Sequence, residues 1–258
     1  MDNCLNCGAT LHGPYCHQCG QKASLPRLTI RSLISNLFAS ITSVENKFWF
    51  TVKELFKQPA KVMQDYVSGK TVTYYHPIRY FLIWVGLAAL INISTGLYDM
   101  QSTDTYKYIL EEGDTAAWER QKSIQNVIKK FTNLIPLFLI PFYGWISYLL
   151  FRKRAYNYAE HLTFVTYVIA QNTIIGLPIF ALYYFIPSLI SYAIIIGNTT
   201  GAIYIAYVYY SLFKISKMKA FSYGLLINFL GLISMVIGVM IITIAIATTI
   251  LLIKSAWG

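Results

Sequence analysis

Four cysteines carry the most specific chemistry in this chain. Cys4-Leu5-Asn6-Cys7 and Cys16-His17-Gln18-Cys19 are two Cys-x-x-Cys pairs separated by eight residues, and they hold every cysteine of the 258-residue sequence. Each pair is followed by glycine, Gly8 and Gly20. The spacing suits a tetrahedral Zn2+ site in which Cys4, Cys7, Cys16 and Cys19 each donate a thiolate. A knuckle turns its backbone sharply after the second sulfur, where glycine is the residue that tolerates positive φ. His12 and His17 are further ring-nitrogen ligands within reach, although four thiolates already close a structural site. Two disulfides or four unrelated thiols are the alternatives. Zinc thiolates persist in reducing surroundings, so the N-terminus is expected in the cytosol.

The rest of the chain must hold this small site in place, and its composition says how. Hydrophobic residues make up 56% and charged residues only 12%, against about 25% charged in a soluble domain. With a mean hydropathy of +0.49, an integral membrane protein is expected. Residues 1–25 are polar and lack the apolar core of a secretory leader. The expected fold is mainly α: a polytopic bundle of about five transmembrane helices, preceded by the zinc ribbon and an amphipathic cytosolic helix. Three regions follow: a ribbon at 1–24, an interfacial helical region at 25–77, and a membrane domain at 78–258.

From Leu28 to Gln58, Ile30, Leu33, Ile34, Leu37, Phe38 and Ile41 recur at helical spacing. Phe48, Trp49, Phe50, Leu55 and Phe56 continue the pattern, accompanied by Lys47, Lys53, Lys57 and Lys61. Such a helix lies in the headgroup layer or packs on the chain's own spans. Pro59 ends it or starts the next helix, a short one over Ala60–Ser68 with Gly69 at its C′ position. Thr71–Pro77 reads as an extended linker, with Tyr74 and Tyr75 at a membrane interface.

The first span is expected at about Ile78–Tyr98 and the second at about Asn133–Phe151, separated by a polar external loop at about 99–132 with a helix near Ala116–Lys130. Leu162–Phe213 is long enough for two spans. Their turn falls at Pro187-Ser188 or at Gly197-Asn198-Thr199-Thr200-Gly201. A fifth span covers about Phe221–Ile253, with tilt or a bend near Gly231 or Gly238. Charge supports this order. The segments assigned to the cytosol hold fifteen Lys and Arg against five acids, whereas the other side holds six of each. The whole formal charge of +10 is therefore a topology signal. It places the N-terminus in the cytosol and the C-terminus in the periplasm, and leaves nucleic-acid binding without a signal of its own.

Within the spans, Tyr158, Glu160, His161, Gln171 and Asn172 form a candidate intramembrane polar site. Glu160 and His161 suit a proton site, a metal-ligand pair or a helix-pairing contact, but adjacent helical residues face different partners. An interfacial anchor is the plainer assignment. The amides of Gln171 and Asn172 should bond to another helix, as helix glue or as the lining of a path. No phosphate-binding glycine loop, nucleophile elbow or His-Glu-x-x-His occurs, so no enzyme is expected and no small-molecule substrate is identified.

The residues also resemble a family. Tyr15-Cys16-His17-Gln18-Cys19-Gly20-Gln21, then Pro59, Tyr66, Gly69 and Lys70, then Tyr74 and Pro77, and finally Tyr158, Glu160, His161 and Leu162 resemble an uncharacterised bacterial inner-membrane family with an N-terminal Cys4 zinc ribbon. Residues 1–80 and 152–165 carry the likeness. Thr71 departs from it, standing where a second basic residue is expected. A fainter architectural similarity is to five-span Yip1-type proteins. The resemblance implies a membrane location and a zinc ribbon, and implies no reaction. The expected role is that of an inner-membrane adaptor in contact with lipid, whose ribbon recruits a protein complex or ribosomal RNA. Leu5, Leu11 and Tyr15 are the contact candidates, with Lys22, Arg27 and Arg31 at the rim. The alternative is a small-solute or ion transporter that uses the polar residues of the third span.

Overall fold

Proline and glycine set the boundaries of the collar that carries the ribbon. The computed structural model describes residues 3–24, 27–33, 45–96 and 135–257. Helix α1 (Glu45–Lys57) is followed by α2 (Pro59–Val67). Pro59 is the first residue of α2, where its missing N–H costs nothing. Ser68 ends α2, and Gly69 follows at φ 107°. Beyond it the chain turns through Thr71–Tyr74 instead of extending, because Lys70 N bonds back to Asp65 O at 2.9 Å. Tyr74 is buried, and its hydroxyl donates to Asp65 Oδ2 at 3.0 Å.

Five helices follow: α3 (Pro77–Thr95), α4 (Ile135–Leu150), α5 (Tyr158–Phe185), α6 (Ala193–Phe213) and α7 (Lys217–Trp257). A 3-10 segment, Pro187–Tyr192, joins α5 to α6. The turn therefore lies at Pro187-Ser188, and Gly197–Gly201 is helical. The last helix is continuous over 41 residues. Among the described residues, three helices are long and apolar enough to cross a membrane: α3, α5 and the Lys217–Gly238 part of α7. Five spans are not reached by this measure. The 16 described residues of α4 reach about 24 Å, short of a hydrocarbon layer of about 30 Å. Helix α6 is diluted by Asn198, Thr199, Thr200 and five tyrosines and serines after them.

Helix α5 is central, packing on both α3 and α4, while α7 lies against α6. The α6–α7 contact is backbone to backbone. A Cβ at Gly224 would sit 2.7 Å from Ala202 O and 3.2 Å from Ala206 N, the close approach that small residues permit between helices in lipid. The collar helix α1 packs one face on the chain's own helices. Phe48, Thr51 and Leu55 are buried against the bundle, whereas Trp49, Phe50 and Phe56 are exposed alongside Lys53 and Lys57. Its C-terminal carbonyls, left unpaired by the helix, accept from α6: Tyr204 Oη to Leu55 O at 3.0 Å and Tyr207 Oη to Lys57 O at 2.8 Å. The amphipathic positions 34–44, the external loop and its helix near 116–130 lie outside the described residues.

Candidate functional site

Each Cys-x-x-Cys pair folds as a knuckle. Gly8 N donates to Cys4 O at 2.8 Å and Gly20 N to Cys16 O at 2.9 Å, with Gly8 at φ 79° and Gly20 at φ 71°. Antiparallel bridges Asn3–Thr10 and Tyr15–Lys22 close the two loops. All four Sγ atoms lie within 4.8 Å of one another, with Cys4–Cys19 at 3.6 Å and Cys7–Cys16 at 3.5 Å. An S–S bond is about 2.05 Å, so these are four free thiols and not two disulfides. Four sulfurs each about 2.3 Å from a tetrahedral ion stand about 3.8 Å apart, and the observed separations fit that arrangement. The backbone amides of Cys7 and Asn6 hold Cys4 down at about 6. Cys16 is lowered in the same way by the amides of Cys19 and Gln18. The Ala9 amide favours the Cys7 thiolate, but desolvation and the three neighbouring thiols push Cys7 up to about 12. A divalent cation held by the four sulfurs would resolve that conflict by taking all of them as thiolates. His12 and His17 stand outside the cluster, both exposed, with ring centroids 5.9 Å apart.

The ribbon is fastened to the collar by a side chain that the sequence reading left without a role. Gln21 is 1% exposed. Its Nε2 donates to Gly69 O, and its Oε1 accepts from Val72 N at 3.2 Å and from Thr71 Oγ1 at 3.5 Å. A second tie runs from Thr73 Oγ1 to Asn6 Oδ1 at 2.6 Å. The receiving turn is itself braced by the Lys70–Asp65 ion pair at 2.8 Å. Thr71, where a second basic residue was expected, thus faces the ribbon.

Of the candidate contact residues, Leu5 and Tyr15 are exposed at 51% and 61%. Lys22 and Arg31 are also exposed, and Leu11 is half-buried. Arg27 is not a free rim cation. Its Nε donates to Glu160 Oε1 at 2.8 Å and its Nη2 to Glu160 Oε2 at 2.9 Å and Ala155 O at 2.5 Å. The bond to Glu160 and its charge raise the Arg27 pKa. Asn157 adds a further tie, donating from Nδ2 to Leu28 O at 3.1 Å.

The polar residues of α5 separate into different environments. Glu160 and Asn157 form a reciprocal cap: Glu160 N donates to Asn157 Oδ1 at 2.9 Å and Asn157 N to Glu160 Oε2 at 2.7 Å. His161 is fully buried, with Nδ1 2.8 Å from Ser147 Oγ, which accepts from Tyr209 Oη at 2.9 Å. Tyr158 Oη donates to Pro141 O at 3.0 Å. Gln171 Oε1 accepts from Tyr80 Oη at 2.5 Å. Asn172 lines a half-open cavity of about 420 Å³ bordered by residues of α3 to α7, while Glu160 lines a separate cleft beside Arg27 and Asp65. His161 and Gln171 line neither.

Residues 45–88 match a family model described as a protein of unknown function (DUF3667). The matched segment is α1, α2, the ribbon-receiving turn and the first part of α3. The ribbon and residues 152–165 lie outside it. No curated protein and no solved structure matches the chain, and nothing in the comparisons supports a Yip1-type likeness or a bacterial source. Sequence reasoning missed Gln21 as the fastening residue, although it closes the Tyr-Cys-x-x-Cys-Gly-Gln run. It also missed the cap at Asn157, readable as Asn-x-x-Glu before an apolar run. Ser147 and Tyr209, as partners of His161, carry no local signal.

Proposed function

We propose that this chain is an integral membrane adaptor whose Zn2+-bound N-terminal ribbon presents a docking surface to a protein or ribonucleoprotein partner. The carrying observation is the buried Gln21 clamp. It ties the ribbon to the Gly69–Thr73 turn while Leu5 and Tyr15 remain exposed. A ribbon needed only for its own folding has no reason to be registered against the membrane domain at Gln21 and Asn6. Zn2+ is the assigned ion because four thiolates at this spacing suit it.

In this reading α4 and α6 join α3, α5 and α7 as spans. On the same reading the ribbon faces the cytosol from a bacterial inner membrane and the C-terminus lies in the periplasm, as the distribution of Lys and Arg favours. The exposed Trp49, Phe50 and Phe56 with their lysines then lie in the cytosolic headgroup layer. A flux path along α5 has less support, since Glu160, His161 and Gln171 each hold a partner within the chain. The test is affinity purification in mild detergent of wild type against Leu5→Asp/Tyr15→Ala, both assayed for zinc. A stoichiometric partner lost from the variant while zinc is retained supports the proposal. The same partners in both samples, or none in wild type, overturns it.

A further inference from the structure

The interior cavity is a second feature, independent of the ribbon. It measures about 420 Å³ and is walled by every described membrane helix, from Val85 and Ala88 of α3 to Asn228 of α7. That size falls in the roughly 300–1,000 Å³ range of small-molecule sites, which are mostly apolar with a few placed polar groups. Nine valine, isoleucine, leucine and alanine residues line it beside Phe180 and three glycines, and no charged side chain does. A cation would find neither carboxylate nor thiolate there, and an anion would find no basic group.

Three asparagines, two tyrosines and two threonines supply its polar groups. Asn172 Oδ1 is buried with no hydrogen-bond partner among the described residues. The Asn172 and Asn228 amides meet over Gly201, 3.6 and 3.5 Å from where its Cβ would lie. Asn228 Nδ2 is already used, donating to Asn198 O at 3.1 Å. The unfilled requirement is therefore a donor for Asn172 Oδ1. One water would satisfy that atom, but the apolar remainder of the cavity is a poor host for water.

We propose that this cavity binds an uncharged, chain-like lipid alcohol, whose hydroxyl donates to Asn172 Oδ1 and whose hydrocarbon fills the apolar wall. Absence of charge in the wall sets the neutrality. The unpaired carbonyl sets the donor, and the position within the bundle sets the apolar body. Gly201 lines the same cavity and is buried, and a Cβ added there would lie 3.5 Å from Asn228 Nδ2 and 3.6 Å from Asn172 Nδ2, ordinary contact distances. A larger side chain at Gly201 therefore projects onto the two amides.

The experiment uses the full chain in nanodiscs with a diazirine-bearing hexadecanol, mapping adducts by mass spectrometry and competing with unlabelled hexadecanol. Saturable labelling is expected on peptides containing Asn172, Thr200 and Asn228. Asn172→Leu should weaken it about tenfold, the value of one hydrogen bond in a desolvated site. Gly201→Leu should block it by covering the two amides, and it decides the matter alone should the Asn172 variant fail to fold. Cys4→Ser/Cys7→Ser should leave labelling unchanged, which separates this site from the ribbon. Non-saturable labelling spread over the outward-facing Leu90 and Phe229 overturns the proposal. So does equal cavity labelling by the corresponding diazirine hexadecanoate at pH 8, or undiminished labelling of Gly201→Leu.

Discussion

Replacing Gln21 with alanine should release the ribbon from the collar without emptying it of metal. Gln21 contributes no sulfur, and the knuckle bond it makes, Cys16 N to Gln21 O at 2.7 Å, belongs to the backbone. The substitution removes the bonds to Gly69 O and Val72 N and the weaker one from Thr71 Oγ1. A net hydrogen bond is worth about 0.5–1.5 kcal/mol, and a buried group left unpaired costs about 1–3 kcal/mol. Gly69 and Val72 are half-buried, so water relieves part of that penalty. A loss of about 2 kcal/mol of docking free energy follows, roughly a 30-fold rise in the undocked fraction at 1.4 kcal/mol per tenfold. Hydrogen exchange reads this directly: the Val72 amide, which donates to Gln21 Oε1, should exchange faster by about that factor, with zinc content unchanged. Tyr15→Ala, at a 61% exposed position, is the matched control and should leave that rate alone. Protection of Val72 unchanged within twofold in a folded Gln21→Ala protein would refute the clamp.

Other consequences follow from single contacts. Glu160→Gln breaks the Arg27 pair and weakens the cap on α5. Because Arg27 is 59% exposed at its side chain, we expect only about 1 kcal/mol, a fall in Tm of about 2–4 °C by scanning fluorimetry. Gly224→Val drives a side chain into Ala202 O and should cost at least about 1–3 kcal/mol, seen as a lower melting temperature and lost monodispersity on gel filtration. Chelation of the metal should unfold residues 3–24, whose regular structure is limited to two isolated bridges, while helical circular dichroism persists. Brominated lipids should quench Trp49, which is 63% exposed, more strongly than Trp84, which is 7% exposed.

The ribbon was legible because metal ligation is a matter of residue type and short spacing. Pro59 and Gly69 were legible for the same reason, each acting on its own backbone. The choice between two turns after α5 was not, since Gly197-Asn198-Thr199-Thr200-Gly201 has a loop's composition. Its hydroxyls instead bond back along the helix, Thr199 Oγ1 to Ile195 O at 2.7 Å and Thr200 Oγ1 to Ile196 O at 2.9 Å. That removes the need for a turn. Contacts between distant segments left no trace in periodicity. Arg27 read as a rim cation because its partner, Glu160, lies 133 residues away. Gln21 meets Gly69 across 48 residues. The five-span count rested on apolar run length, and among the described residues three helices meet the length and hydropathy required.

The most direct test of the account is co-purification from wild type and Cys4→Ser/Cys7→Ser, with metal measured on both and membrane insertion confirmed. The account predicts one zinc per wild-type chain, close to none in the variant, and a stoichiometric partner present only with the zinc. A partner retained by the zinc-free variant would contradict it.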